Sequence, residues 1–207
     1  MPHDSHAHEA LVVEDDAGNL EAQIIVDALQ EVLIAKGLLT AREVTTTIAK
    51  LESPGIHQGA QIVAKAWTDP AFKAELLADG RAAIQGLGIA VTEARIIVVE
   101  NTATAHHLIT CTLCSCYPRS ILGQPPSWYI SKAYRARSVR EPRAVLAEFG
   151  LALPETVQLT VHDSNADMRY LVLPSRPTWT EGWEVPELEA LITRDHLIGV
   201  ARDFERS

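Results

Sequence analysis

A chain of 207 residues with a formal net charge of −9, aromatic residues at 5% and no basic run argues against a nucleic-acid partner or an anionic membrane surface, and points to protein and small-molecule partners. The length suffices to bury a substantial core without staples, so one domain with a terminal extension is expected. No stretch approaches the roughly 20 uninterrupted apolar residues of a membrane span, and the start Met1-Pro2-His3-Asp4-Ser5-His6 is too polar for a signal peptide, which makes a cytoplasmic location the expectation.

Residues 1–18 are polar, acidic and without periodicity, the composition of a disordered tail. His3, His6 and His8 alternate there with other residues and offer at most weak metal binding. From Leu20 to Lys36 apolar residues recur on one helical face (Leu20, Ile24, Ile25, Ala28, Leu29, Val32, Leu33), and Gly37 supplies a stop. Thr40 and Glu43 form a capping-box pair opening a second helix to about Leu51. The two make a helical arm over residues 19–54, and Ser53-Pro54-Gly55 marks its boundary with a domain over 55–207.

In that domain Gln58 to Trp67 reads as helical. Asp69-Pro70 starts another helix to Asp79, with Gly80 as terminator. Arg95–Glu100 and Leu108–Thr110 are β-branched and apolar, hence strands. Ser127 caps a short helix through Tyr134, and Glu141-Pro142-Arg143 opens one that ends at Gly150. Thr156–His162 and Arg169–Leu173 read as two more strands, and a last helix covers about Pro186 to Thr193. Helices first, strands mixed in later and no regular βα alternation indicate the α+β class.

All three cysteines of the chain lie in Cys111-Thr112-Leu113-Cys114-Ser115-Cys116, in the turn after a strand, where a rigid scaffold carries functional loops. A C-x-x-C-x-C string converges three soft ligands within one turn, so a metal site is the economical reading, in a compartment reducing enough to keep thiols free. A redox Cys111–Cys114 disulfide would strand Cys116 and lacks the usual βαβ start. A zinc-stabilised interaction module would need a fourth ligand, for which His106 or His107 is available, but there is no second knuckle. On a strand these histidines face opposite ways, so at most one approaches the cysteines, and a hydrogen-bonded structural role is preferred. Tyr134, Arg137 and Arg169 are read as interface and core residues.

The segment from Cys111 through Tyr134 resembles the α subunit of nitrile hydratases of the cobalt-dependent type: Cys-Thr-Leu-Cys-Ser-Cys followed by Tyr117-Pro118 is the cobalt form, whereas the iron form has Ser in place of Thr112. The likeness extends to Ala64–Pro70, Glu100-Asn101-Thr102, Pro125–Tyr129, Tyr134–Arg137, Val139–Arg143 and Thr193–Val200. Arg119-Ser120 stands where these proteins usually have Trp-Pro, and Gln124 where they usually have Leu. There, and in Ala147–Leu151 and Asp163-Ser164-Asn165, the chain is more similar to the γ subunit of thiocyanate hydrolase, a sister enzyme with the same cobalt claw, while Arg140-Glu141-Pro142-Arg143 is the nitrile hydratase form. Thr92 aligns with a position that is commonly Gln.

The resemblance implies a helical N-terminal arm that wraps a β subunit, followed by a layered α-β-β-α domain. It implies one Co(III) per chain, held by the sulfurs of Cys111, Cys114 and Cys116 and by the amide nitrogens of Ser115 and Cys116, with the sixth position left for water or substrate. Cys114 would be a sulfinic acid, Cys116 a sulfenic acid and Cys111 a thiolate. The implied reaction is hydration of a nitrile to the amide; in the sister enzyme it is hydrolysis of thiocyanate to carbonyl sulfide and ammonia. Cys116, whose sulfenate oxygen is a candidate nucleophile or base, Ser115, which is small enough for the backbone to act as donor, and Arg119, which would favour an anion or a polar nitrile, are the expected catalytic residues. The expected partners are a β subunit, in one chain or split over two, which brings arginines to the oxidised cysteines, and an activator or metallochaperone for cobalt loading.

Overall fold

The computed structural model describes residues 19–52 and 55–204; the tail expected over residues 1–18, with its histidines, and the expected boundary at Ser53-Pro54 lie outside them. Helices α1 (Asn19–Ala35) and α2 (Ala41–Glu52) come first. Gly37 follows α1 with φ +68°, the left-handed conformation that favours glycine after a helix. Thr40 starts α2 with the expected box: its Oγ1 accepts from Glu43 N at 3.1 Å, and Glu43 Oε2 accepts from Thr40 N at 2.8 Å.

Three helices follow, α3 (Ile56–Thr68), α4 (Pro70–Ala78) and α5 (Gly80–Gly86). Asp69 Oδ1 accepts from the amides of Ala71 and Phe72, both at 3.0 Å, with Pro70 in the first turn, so local chemistry sets the start of α4. Gly80 is not a terminator. Asp79 Oδ1 accepts from Ala82 N at 3.1 Å and makes Gly80 the opening residue of α5. A Cβ on Gly80 would stand 2.8 Å from Ile96 O, so the missing side chain is what lets α5 close on the first strand.

The strands are β1 (Arg95–Glu100), β2 (Ala105–Thr110), β3 (Gln158–Asp163) and β4 (Met168–Leu173). β1 pairs in parallel with β4, Ile96 opposite Arg169, and β2 in parallel with β3, Ile109 opposite His162. A parallel pair needs a long crossover. The one from β2 to β3 contains α6 (Arg119–Leu122), α7 (Ser127–Ile130), α8 (Lys132–Arg140) and α9 (Pro142–Glu148). The single helix expected from Ser127 to Tyr134 is two, because Ser131 breaks it and its Oγ caps α8, accepting from Tyr134 N at 3.0 Å. After β4 come α10 (Val185–Leu191) and a helix the sequence reading missed, α11 (Arg194–Ile198).

Helices α4 and α5 pack on β1, the β1/β4 pair meets the β2/β3 pair, and α8 and α9 cover the far side, the layered α-β-β-α order that the resemblance implied. Ile62, Leu76, Ile84, Leu108, Ile109, Leu146 and Leu171 fill the interior, each contributing about 1.5–3 kcal/mol by its burial. Gly199, after α11, has φ +87°, and a Cβ there would fall 1.9 Å from His107 O; its carbonyl accepts from His106 Nε2 at 2.7 Å. The C-terminal helix is thereby docked on β2 backbone to backbone. Among the described residues no helix is long and apolar enough to cross a membrane.

Candidate metal centre

The cysteine segment leaves β2 under restraint from three sides. Thr110 O accepts from Ser164 N at 2.8 Å, and Thr110 Oγ1 accepts from Ser138 Oγ at 2.9 Å. One turn on, Thr112 N and Oγ1 donate to the two oxygens of Asp163 at 2.9 and 2.5 Å. From α7 and α8, Tyr129 OH donates to Cys116 O at 2.8 Å, Arg135 Nη1 to Cys114 O at 2.7 Å and Tyr134 OH to Ile109 O at 2.6 Å. Carbonyls of the segment are thus drawn outward onto the helices.

The sulfurs gather on the other side. Cys111 Sγ lies 3.5 Å from Cys114 Sγ, Cys114 Sγ lies 3.0 Å from Cys116 Sγ, and all three fall within 4.8 Å of one another. Two sulfurs bound at right angles to one ion by bonds of about 2.3 Å stand about 3.3 Å apart, so this set fits a single ion without rearrangement. Cys114 N donates to Cys111 Sγ at 3.3 Å, and the amides of Ser115 and Cys116 face the Cys114 sulfur. Hydrogen bonds from the Cys116 and Cys111 thiols, with those amides, hold the Cys114 thiol below its ordinary pKa. Burial, then the Cys114 contact, pushes Cys116 up to about 12. The donor set is three soft sulfurs, suited to a thiophilic transition ion.

A cavity of about 560 Å³ opens beside the sulfurs, lined by Thr92, Glu93, Cys114, Cys116, Arg119 and Arg169 among others. Ser115 also lines it; Cys111 is fully buried behind, whereas Cys114 is exposed. The four expected ligand residues therefore share one turn, and Arg119, at the first position of α6, stands at the same opening. The two histidines turn elsewhere. His106 is buried between Asn101 and Gly199 O, and His107 Nδ1 meets His162 Nε2 at 2.9 Å.

Tyr134 and Arg137 bond to structure, the latter pairing with Glu141 at 2.6 Å and with Glu148. Arg169, read as an interface or core residue, instead lines the cavity, with its Nη1 donating to Asn165 O. Sequence reasoning missed Glu93, Tyr129, Arg135 and Asp163. Tyr129, Arg135 and Asp163 lay in stretches that carried the resemblance without a role of their own, and Glu93 carried no local signal. Thr92 lines the cavity as an exposed residue, and its neighbour Glu93 is the buried group there.

Comparison with known proteins agrees with this geometry. The family model "Nitrile hydratase, alpha chain" matches residues 20–201. The chain is 47% identical over 178 residues to the cobalt-containing nitrile hydratase subunit alpha of Pseudonocardia thermophila, covering 84% of this chain and 87% of that one. It is 44% identical over 191 residues to the thiocyanate hydrolase subunit gamma of Thiobacillus thioparus, covering 86% and 79%. Among solved structures, a double mutant of the iron-type nitrile hydratase from Comamonas testosteroni Ni1 superposes with a TM-score of 0.83 at 45% identity, over 91% of this chain and 92% of that one. With the three-sulfur turn, the layered scaffold and a family match over nearly all of its length, the chain belongs to the nitrile hydratase alpha-chain family.

Proposed function

We propose that the chain is the metal-bearing α subunit of a cobalt-dependent nitrile hydratase, converting a nitrile and water to the amide. The observation that carries this reading is the convergence of three cysteine sulfurs within one turn, beside an open cavity. Cys111, Cys114, Cys116 and the amides of Ser115 and Cys116 would hold one Co(III) per chain. Bound there, cobalt supplies Lewis acidity toward the nitrile nitrogen or toward the attacking water.

The chain's own residues do the rest. Cys116, mostly buried at the cavity wall, places an oxidised sulfur oxygen where it can take a proton from the attacking water or attack the nitrile carbon itself. Ser115 leaves its backbone uncrowded. Anionic sulfur oxygens in a partly buried site need cationic hydrogen-bond donors; Arg169, which lines the same cavity as Cys116, is proposed as one, and a β subunit is proposed to bring others. The same subunit would cover Ile24, Ile25, Leu29 and Val32 of α1, which are exposed to 61%, 62%, 56% and 49%. An activator for cobalt loading completes the proposed assembly.

Arg119 favours a second reading with the same chemistry and a different substrate: a guanidinium at the cavity mouth suits an anion such as thiocyanate, with carbonyl sulfide and ammonia as products. The iron-type neighbour and the cobalt-containing relatives share this fold, so metal analysis is the first test. One cobalt per chain and an intact mass raised by about three oxygen atoms on two cysteines would support the claw, whereas stoichiometric zinc on unoxidised thiols would sink it. Product analysis then separates amide from carbonyl sulfide. In Arg119→Trp, an unchanged kcat/KM ratio between thiocyanate and a neutral nitrile would remove Arg119 from substrate choice.

A further inference from the structure

Glu93 is the acidic residue of the cavity wall, and only 8% of it is exposed. A carboxylate that deep needs donors. It finds them across 27 residues of sequence: Oε1 accepts from Ser120 N at 3.1 Å, and Oε2 accepts from Ser120 Oγ, with Thr92 Oγ1 at 3.5 Å beyond it. Ser120 is itself 7% exposed. Both hydrogen bonds thus land on one residue, and that residue follows Arg119 directly in the first turn of α6.

The turn has few other ties of this kind. Arg119 N donates to Tyr117 O at 2.8 Å, and Leu122 N and Gly123 N close the short helix on Pro118 O and Arg119 O at 2.9 and 3.0 Å. These bonds are internal to the segment; Ile121 and Leu122, fully buried, seat its second half against α3, and Arg119 and Ser120 ahead of them have no such apolar anchor. The Glu93 carboxylate connects it to the chain just ahead of β1. Two hydrogen bonds to a buried carboxylate, one of them to backbone, restrain translation and rotation together. A proline at position 120 would supply neither donor.

We propose that Glu93 is a positioning residue for substrate selection: through Ser120 it locks the first turn of α6 and so sets where the Arg119 guanidinium stands at the cavity mouth. This rests on the proposed hydratase function and adds to it the group that aims the selecting side chain. Glu93 acts through Arg119 and not on the substrate. The amide of Gln can still accept from one Ser120 group while its NH2 donates to a rotated Ser120 hydroxyl, so Glu93→Gln keeps the clamp and Glu93→Ala removes it.

The test uses the native assembly carrying Glu93→Ala, Glu93→Gln, Ser120→Ala or Ser120→Pro. The kcat/KM ratio for thiocyanate against a neutral nitrile should shift about tenfold in Glu93→Ala and Ser120→Pro, less in Ser120→Ala, and return to the native ratio in Glu93→Gln. Amide hydrogen exchange over residues 119–123 should speed up about tenfold in Glu93→Ala and stay native in Glu93→Gln. Equal ratios for Gln and Ala would overturn the proposal by showing that the charge itself acts, and so would native exchange in Glu93→Ala. If the native assembly turns over neither substrate, the functional reading fails, and the exchange data alone still decide whether Glu93 fixes this turn.

Discussion

Helix α1 and helix α3 are similarly apolar, yet they meet opposite fates. Ile62 and Val63 of α3 are 0% and 1% exposed, while Ile24, Ile25, Val26 and Leu29 of α1 remain 56–62% exposed. The contrast separates two ways of holding a helix. In the domain, burial of α3 against α4, α6 and α10 supplies the stability. In the N-terminal pair, what is visible is local, the Thr40–Glu43 box and the turn at Gly37, which alone leaves a helix of this length marginal. Its apolar face is the one proposed above to be covered by a β subunit.

The largest effect that would break this contrast comes from Gly199→Ala. With φ at +87° and His107 O 1.9 Å from the new Cβ, the docking of α11 on β2 cannot survive, and a loss of about 4 kcal/mol or more is expected in denaturant titration. A fully folded Gly199→Ala chain would show the C-terminal dock to be dispensable. Next, Leu108→Ala, which empties a fully buried site, is expected to cost about 2–5 kcal/mol. The matching change in the arm, Leu29→Ala, should stay within about 0.5 kcal/mol in the isolated chain, and a cost comparable to Leu108→Ala would mean that α1 is covered by its own chain.

Introducing charge sharpens the same point at the level of assembly. Leu29→Glu with Val32→Glu should leave thermal unfolding of the isolated chain near native and weaken its co-purification with the partner subunit, and intact assembly would contradict the role given to this face. A smaller, pH-dependent effect concerns the domain. Burial, reinforced by His107, lowers the His162 pKa from 6.5 to about 4. The stability tied to neutral His162 is therefore complete above pH 6.5 and is lost as the pH falls toward 4, because the unfolded chain takes up the proton first. His162→Gln should flatten that part of the stability profile, and an unchanged slope would assign acid sensitivity elsewhere.

How far the sequence carried depends on the range of each interaction. Thr40 with Glu43, Asp69 with Pro70, and the glycine after α1 act within a few residues, and all three read correctly. Asp79-Gly80 misled because an aspartate that starts a helix and a glycine that ends one stand side by side, and only the packing of α5 on Ile96 decides between them. Ser131 was overlooked because a continuous helix from Ser127 was locally acceptable. The parallel pairings of β1 with β4 and β2 with β3 span the whole domain and leave no local trace. At the site, three cysteines in one turn announced themselves through ligand chemistry. Glu93 did not, since a carboxylate's partner 27 residues away is a property of the fold.

The bond from Arg135 to Cys114 O has a consequence set by peptide planarity. In a trans peptide the carbonyl and the following N–H point in opposite directions, so a guanidinium pulling Cys114 O outward turns Ser115 N–H inward like the far end of a lever. Side chains on α8 thereby steer a main-chain nitrogen that they never touch. The orientation of that donor is written into a helix more than a dozen residues downstream, and a substitution at Arg135 would be felt at the sulfur cluster as a rotated peptide plane rather than a missing ligand.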